Sequence, residues 1–374
     1  MMKILYCIAG TYNSGGMERV LANKANYLVR HGYEVVIATT DQRGQSPFFA
    51  LDESIRCFDL GINYEENNGK SLLNKLLKYP FKQLRHRKRL SQLLQQERPD
   101  VTISMYCNEA SILPTIKDGS KKILEIHFSK FKRMQYGRKG LWRWIDWWRS
   151  RQDERLVRRY DKFVVLTEED KGYWGNLPNI EVIPNARTFA PTETASLQQP
   201  IALAIGRYTH QKGFERLIDA WKIVAEKYPT WQLKIVGDGE EKQALTAQIN
   251  RLHLQNQVQL EPPKSDVSSL YLGASMYLLS SRYEGLPMVL LEAQAYGLPI
   301  VAFQCKCGPL DVIEAGKTGI LVPEGDCIAL ADGILQLIEQ EAVRIAMGKA
   351  AKEASSRYDE ARVMQQWITL FNQR

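Results

Sequence analysis

Short apolar runs alternate with longer stretches of helical period along the whole chain. In the first half, Lys3–Ala9, Glu34–Thr39, Val101–Met105, Lys122–Ile126, Lys162–Leu166 and Glu181–Ile183 read as strands apolar on both faces. Between them the spacing predicts helices at about Met17–Arg30, Leu72–Gln96, Glu109–Ile116 and Trp142–Arg159. Ala186–Pro200 (ARTFAPTETASLQQP) has Pro, Thr and Ser without a period and reads as a linker. The alternation then restarts. Strands are expected at Ile201–Ile205, Gln232–Val236, Gln257–Leu260, Met276–Leu279, Ile300–Phe303 and Ile320–Val322. Helices are expected at about Phe214–Lys227, Glu241–Leu252, Val267–Leu272, Met288–Tyr296 and Ile328–Gln340, with a last one at Asp359–Asn372. Short buried strands alternating with helices mean parallel sheets covered on both faces. The pattern predicts an α/β chain of two Rossmann-like, doubly wound domains, 1–185 and 201–355, facing a cleft across the linker 186–200.

The 374 residues are 44% hydrophobic and 25% charged, which suits two globular domains that each bury a core. Six Cys without a C-x-x-C, beside five His, do not support a zinc ribbon or finger and suit a reducing cytoplasm. The apolar start ends near Ala9, too soon for a signal-peptide core. No run approaches the ~18–20 apolar residues of a spanning helix. The expected location is therefore cytoplasmic.

Charge changes the picture. The net +8 is not spread evenly: residues 70–98 carry +8 and residues 121–160 carry +9, leaving −9 for the rest. Such localised basicity implies an anionic partner. Within the second window, LWRWIDWWR at 141–149 sets Trp142, Trp144, Trp147 and Trp148 among Arg143 and Arg149. That composition suits a helix lying on an anionic membrane surface. It would also suit stacking on single-stranded nucleic acid.

In doubly wound sheets ligands bind beyond the carboxyl ends of the strands, so the chemistry is expected in four loops. Gly10–Arg19 follows the first strand, and its Gly15-Gly16 lets backbone approach a ligand at a helix N-terminus. It is not G-x-G-x-x-G, so a dinucleotide site is not supported. Gly206-Arg-Tyr-Thr-His-Gln-Lys-Gly213 follows the first strand of the second half. There Arg207 offers a guanidinium fork and Lys212 a point charge, a pair that suits a diphosphate. Val236-Gly-Asp-Gly239 makes a tight strand-to-helix turn. The fourth loop opens SRYEGLPMVLLEAQAYGLPIVA at 281–302. Glu284 and Gly285 turn the chain, Pro287 marks the first helical turn, and Gly297 ends the helix. The free N–H groups of Leu286, Met288 and Val289 form an anion site. Glu292, deep in an apolar helix, needs a partner, and sugar hydroxyls would serve because a carboxylate only accepts hydrogen bonds.

With these residues in order along essentially the whole chain, the sequence resembles retaining glycosyltransferases of family 4, which have the GT-B fold. The resemblance rests on Glu284-x7-Glu292 in its surrounding string, the Gly206-Arg207…Lys212-Gly213 loop, VGDG, and Ser14-Gly15-Gly16-x-Glu18. It departs from the family where Glu261-Pro262-Pro263 replaces the usual glycine. The resemblance implies that Glu292 contacts the donor ribose. It implies that Glu284 and the backbone through Gly285, Leu286, Pro287, Met288 and Val289 hold the donor sugar. Arg207 and Lys212 would neutralise the leaving diphosphate, with Gly206 lining its loop, and His127 at the end of Lys122–Ile126 would lie beside the sugar. Gly15 and Gly16 would belong to the same donor site, and residues 356–374 would return to pack on the first, acceptor-binding domain.

The implied activity is transfer of a hexose from a nucleotide-sugar donor to a lipid-linked or cell-surface glycan, as in capsule and O-antigen assembly, with UDP-hexose or UDP-N-acetylhexosamine the expected donor. No D-x-D motif is present, so no metal is expected and the two cations must balance the leaving charge. The expected setting is peripheral, at the inner face of an anionic membrane, with no nucleic-acid partner. Two alternatives stay open: a nucleic-acid-binding protein that uses the basic segments, and a sugar-nucleotide enzyme with a soluble acceptor.

Overall fold

The computed structural model describes residues 1–67, 72–131, 140–264 and 266–373, with side chains except at 67, 72–77 and 141–143. Its first half runs β1 (Lys3–Ile8), α1 (Gly16–Arg30), β2 (Glu34–Thr39), β3 (Arg56–Asp59), α2 (Leu72–Glu97), β4 (Val101–Ser104), β5 (Lys121–Glu125), α3 (Leu141–Val157), β6 (Lys162–Val165), α4 (Glu168–Trp174) and β7 (Ile180–Val182). The second half continues with β8 (Ile201–Ile205), α5 (Phe214–Lys227), β9 (Gln232–Val236), α6 (Lys242–Arg251), β10 (Val258–Glu261), α7 (Ser268–Leu272) and β11 (Met276–Leu279). It ends with α8 (Met288–Ala295), β12 (Ile300–Phe303), α9 (Pro309–Val312), β13 (Gly319–Val322), α10 (Cys327–Glu339), α11 (Glu341–Ser355) and α12 (Glu360–Asn372).

The strands form a seven-stranded sheet of order β3-β2-β1-β4-β5-β6-β7 and a six-stranded sheet of order β10-β9-β8-β11-β12-β13. Every pairing among them is parallel. Both sheets are doubly wound. Strand order reverses at β1/β4 in one and at β8/β11 in the other, where Met276 pairs with Ala202 and Tyr277 with Leu203. Such a switch point opens a crevice at the carboxyl ends of its two central strands.

Two compact units follow. One holds residues 1–166, 171–183 and 364–374, and the other 167–170 and 184–363. In the second unit, α5 shows why the pattern was readable. Its apolar positions Phe214, Leu217, Ile218, Trp221, Val224 and Ala225 recur at helical spacing, and all are buried. Full burial of each large side chain contributes roughly 1.5–3 kcal/mol. In the first unit, Trp367, Leu370 and Phe371 of α12 are buried, and Lys121 donates to the Leu370 carbonyl oxygen at 2.7 Å.

Several elements differ from the sequence reading. The helix expected at Glu109–Ile116 is a set of turns with one short 3₁₀ segment at Leu113–Thr115. Pro114 has no N–H for the Ala110 carbonyl oxygen, which instead accepts from the Tyr160 hydroxyl at 2.7 Å. The Glu109 carboxylate folds back onto the Ser104 hydroxyl (2.6 Å) and the Cys107 N–H (3.1 Å). Residues 186–200 carry no regular element, yet they are packed. Ala195 donates to the Tyr296 carbonyl oxygen at 2.9 Å, Leu197 is buried, and Arg344 donates to the Leu197 carbonyl oxygen at 3.0 Å. Strand β3 and helices α4, α9 and α11 were not foreseen.

Candidate active site

The switch point of the second sheet joins two loops some seventy residues apart in sequence, Gly206–Gly213 after β8 and Ser280–Pro287 after β11. Hydrogen bonds stitch them together. The Arg282 N–H donates to the Gln211 carbonyl oxygen (2.8 Å), the Ser280 hydroxyl to the Lys212 carbonyl oxygen (2.9 Å), and the Gln211 amide to the Tyr283 carbonyl oxygen (3.0 Å). Gly213 is left-handed at φ 62°, and a Cβ there would sit 2.5 Å from the Ser280 carbonyl oxygen. Glycine is therefore required where the two loops cross.

Across that seam, Lys212 Nζ lies 2.6 Å from Glu284 Oε1, and the Ser281 hydroxyl donates to the same oxygen at 2.6 Å. Glu284 is buried, and its own backbone is held between Lys306 and Cys307: its N–H donates to the Lys306 carbonyl oxygen at 2.7 Å, and its carbonyl accepts from the Cys307 N–H at 3.1 Å. Gly206 donates to the Val236 carbonyl oxygen (3.0 Å), and Tyr208 to the Asp238 carbonyl oxygen (2.8 Å), so the VGDG turn packs against the loop that carries the two cations. The Arg207 side chain is exposed.

Helix α8 starts at Met288, where the sequence reading begins it, with Pro287 as its N-cap and not within the first turn. Leu286 and Pro287 are buried, while Gly285, Met288 and Val289 are half-exposed. Glu292 lies in the second turn, buried, with Oε2 at 2.7 Å from the hydroxyl of the fully buried Tyr271. Gly297 ends the helical stretch at φ 74°.

In the first unit, Gly15 caps α1 and Gly16 begins it. A Cβ on Gly16 would meet nothing within 4 Å, so the backbone there has open space. His127 follows β5, with Nε2 at 3.2 Å from Glu125 Oε1 but not aligned for a hydrogen bond. Glu125 takes Lys24 of α1 on both oxygens, at 2.7 and 2.6 Å, and the Trp367 ring of α12 lies 3.7 Å from the same ammonium. Burial works to raise the Glu125 pKa, but Lys24 and His127 hold it down to about 2.

Family comparisons divide the chain in the same way. Residues 14–187 match the model for Glycosyltransferase Family 4, and residues 187–354 match Glycosyl transferases group 1. An uncharacterized glycosyltransferase of Haemophilus influenzae is 32% identical over 372 residues, covering 98% of this chain and 99% of that one. This chain belongs to the family 4 glycosyltransferases. The amylovoran biosynthesis glycosyltransferase AmsD of Erwinia amylovora is 30% identical to it over 390 residues, covering all of both chains. A crystal structure of a Staphylococcus aureus TarM mutant with fondaparinux, alpha-GlcNAc-glycerol and UDP aligns over all of both chains, with TM-score 0.78 at 17% identity. The fold of the enzyme is thus GT-B, and its activity is that of a hexosyltransferase.

Within the glycosyltransferase's second unit, Gly206, Lys212, Glu284 and Gly285 come together at one switch point, with Arg207 on the same loop. Leu286 through Val289 and Glu292 continue from it. In its first unit, the helix that Gly15 caps and the strand before His127 are tied through Lys24 and Glu125. Sequence reasoning missed Ser281, Tyr271 and the Lys24–Glu125 pair. Ser281 had only a local signal, a hydroxyl three residues before Glu284. Tyr271 and Glu125 had none, because their partners lie 21 and 101 residues away.

Proposed function

We propose that this glycosyltransferase moves a hexose or N-acetylhexosamine from a UDP-linked donor to a lipid-linked or cell-surface glycan, with retention at the anomeric carbon and without a metal ion. The observation that carries the reading is the convergence of Lys212, Glu284 and the start of α8 at the β8/β11 switch point. UDP in the structurally similar TarM complex supports the choice of base.

In this reading Glu292 accepts hydrogen bonds from the donor ribose. Glu284 and the Gly285–Val289 backbone hold the sugar. Arg207, Lys212 and the N–H groups at the start of α8 balance the charge that develops on the leaving diphosphate. The acceptor oxygen attacks the anomeric carbon on the face the diphosphate leaves. As the bond from that carbon to the phosphate oxygen breaks, the departing phosphate takes the acceptor's proton.

The acceptor side of the proposal rests on a surface. Trp144, Trp147 and Trp148 of α3 are 69%, 42% and 53% exposed, and Phe81 and Leu84 of α2 are 73% and 65% exposed. Arg151 stacks over Trp147 at 4.3 Å, and Arg149 lies within electrostatic reach of Tyr79 on α2. Aromatic and apolar side chains set among cations suit the headgroup region of an anionic leaflet. The Trp142 and Arg143 side chains and residues 132–139 lie outside the described residues. No described helix is long and apolar enough to cross a membrane.

A panel of UDP-, GDP-, ADP- and dTDP-sugars, screened for thermal stabilisation, tests the donor. A bound donor raises the transition by mass action. A UDP-hexose or UDP-N-acetylhexosamine is expected to raise it by a few degrees. Stabilisation by none of the panel contradicts the proposal.

A further inference from the structure

Glu292 is a buried carboxylate on an apolar helix, and its neighbours are arranged to fix it. The Tyr271 hydroxyl lies 2.7 Å from Glu292 Oε2. The Tyr271 ring stacks on Tyr296, with centroids 5.1 Å apart and planes 9° from parallel. The Tyr296 hydroxyl in turn donates to Ser268 Oγ at 2.7 Å. On another side Tyr277 lies 6.1 Å from Tyr271, and its own hydroxyl accepts from the Ile205 N–H at 3.0 Å. Tyr271 is therefore held in place by two rings, each anchored at its own hydroxyl.

Burial, reinforced by the charge of Glu292, pushes the Tyr271 pKa well above its ordinary value. The phenol accordingly stays protonated at any working pH and always donates. An ionised carboxylate only accepts, so this hydrogen bond sets the plane of the Glu292 head group. A carboxylate already restrained by a fixed donor loses less rotational freedom when a ligand also engages it.

We propose that Tyr271 is a positioning residue that fixes the Glu292 carboxylate so that it accepts from the vicinal hydroxyls of a donor ribose. The inference rests on the reading of Glu292 as the ribose ligand. Tyr271 itself touches no reacting atom. Its contribution is affinity for a ribonucleotide and discrimination against one lacking the 2′-hydroxyl.

Calorimetric titration tests this with whichever of UDP, GDP, ADP and CDP the wild type binds most tightly, and with its 2′-deoxy counterpart. Tyr271→Phe is expected to weaken the ribonucleotide about five- to tenfold and the deoxynucleotide less, while kcat at saturating donor stays within about twofold. In a Glu292→Gln background the same change is expected to add less than about twofold, because residues acting through one another are not additive. Tyr271→Leu gives the same comparison should the Phe variant not fold. Undiminished ribonucleotide affinity in Tyr271→Phe, or equal loss for both nucleotides that persists in Glu292→Gln, overturns the proposal. Undiminished affinity in Glu292→Gln, or no binding by any of the four nucleotides, overturns the underlying site reading instead.

Discussion

Lys212 and Glu284, 72 residues apart, form a charge pair of 2.6 Å at the point where the two loops of the second unit cross. In the proposed reading Lys212 has two partners in turn, the carboxylate beside it and the donor phosphate. Glu284 is buried and also accepts from Ser281, a second hold on its carboxylate that does not depend on the ammonium.

Neutralising Glu284 should therefore separate binding from chemistry. Glu284→Gln leaves Lys212 free for a diphosphate and is expected to hold or tighten UDP affinity while lowering turnover at least tenfold. Titration with UDP alongside steady-state kinetics checks both halves. Weaker UDP binding with normal turnover would show that Glu284 does not share Lys212 with the donor.

Arg207→Ala and Lys212→Ala should each reduce kcat more than they raise the donor KM, because the leaving charge grows in the transition state. EDTA should leave wild-type activity nearly intact. Loss of activity in EDTA, restored by Mg²⁺ or Mn²⁺, would mean that these cations do not suffice.

Stability should fall in mild acid. Burial pushes the pKa of His86, beside the Tyr64 hydroxyl at 3.1 Å, down to about 4, against a weaker opposite pull from Asp41. The unfolded imidazole titrates near ~6.5, so the unfolded chain binds the proton first. The contribution of neutral His86 is complete above that value and is lost as pH falls towards 4, about 3 kcal/mol in all at ~1.36 kcal/mol per pH unit. Glu125, held down to about 2, continues the loss below its ordinary range. Urea melts at pH 7.5 and 4.5 should show a clear drop for wild type and a smaller one for His86→Phe. Equal drops would mean that His86 titrates normally.

The tryptophan face should bind anionic vesicles. Each Lys or Arg near such a leaflet contributes about 1 kcal/mol, screened over a Debye length of about 8 Å at physiological salt. Sedimentation with phosphatidylglycerol vesicles should weaken with NaCl without vanishing. Trp144, Trp147 and Trp148 are exposed, so replacing all three with Ala leaves the core filled. That variant should lose the salt-resistant part and the blue shift in fluorescence. No wild-type binding at low salt, with no shift, would assign the basic face another role.

Local periodicity carried most of the fold. Strands of the type Ile201–Ile205 and the helix Phe214–Lys227 stand out by apolar spacing alone. Arg56–Asp59 did not, because RCFD on a sheet edge has little apolar content to show. Glu109–Ile116 misled because Glu109 and Ala110 find partners outside a helix. In the site, glycines and charges at strand ends marked the loops. The pairings Lys212–Glu284, Glu292–Tyr271 and Lys24–Glu125 depend on strand order, which no local window contains.

The central claim is that the second unit holds a nucleoside diphosphate through Glu292, and titration of UDP into wild type and Glu292→Ala tests it most directly. Losing the acceptor for two ribose hydroxyls should cost roughly 1–3 kcal/mol, a loss of about five- to 150-fold in affinity, in a variant that keeps its near-UV circular dichroism. Equal UDP affinity in the folded variant would contradict the account.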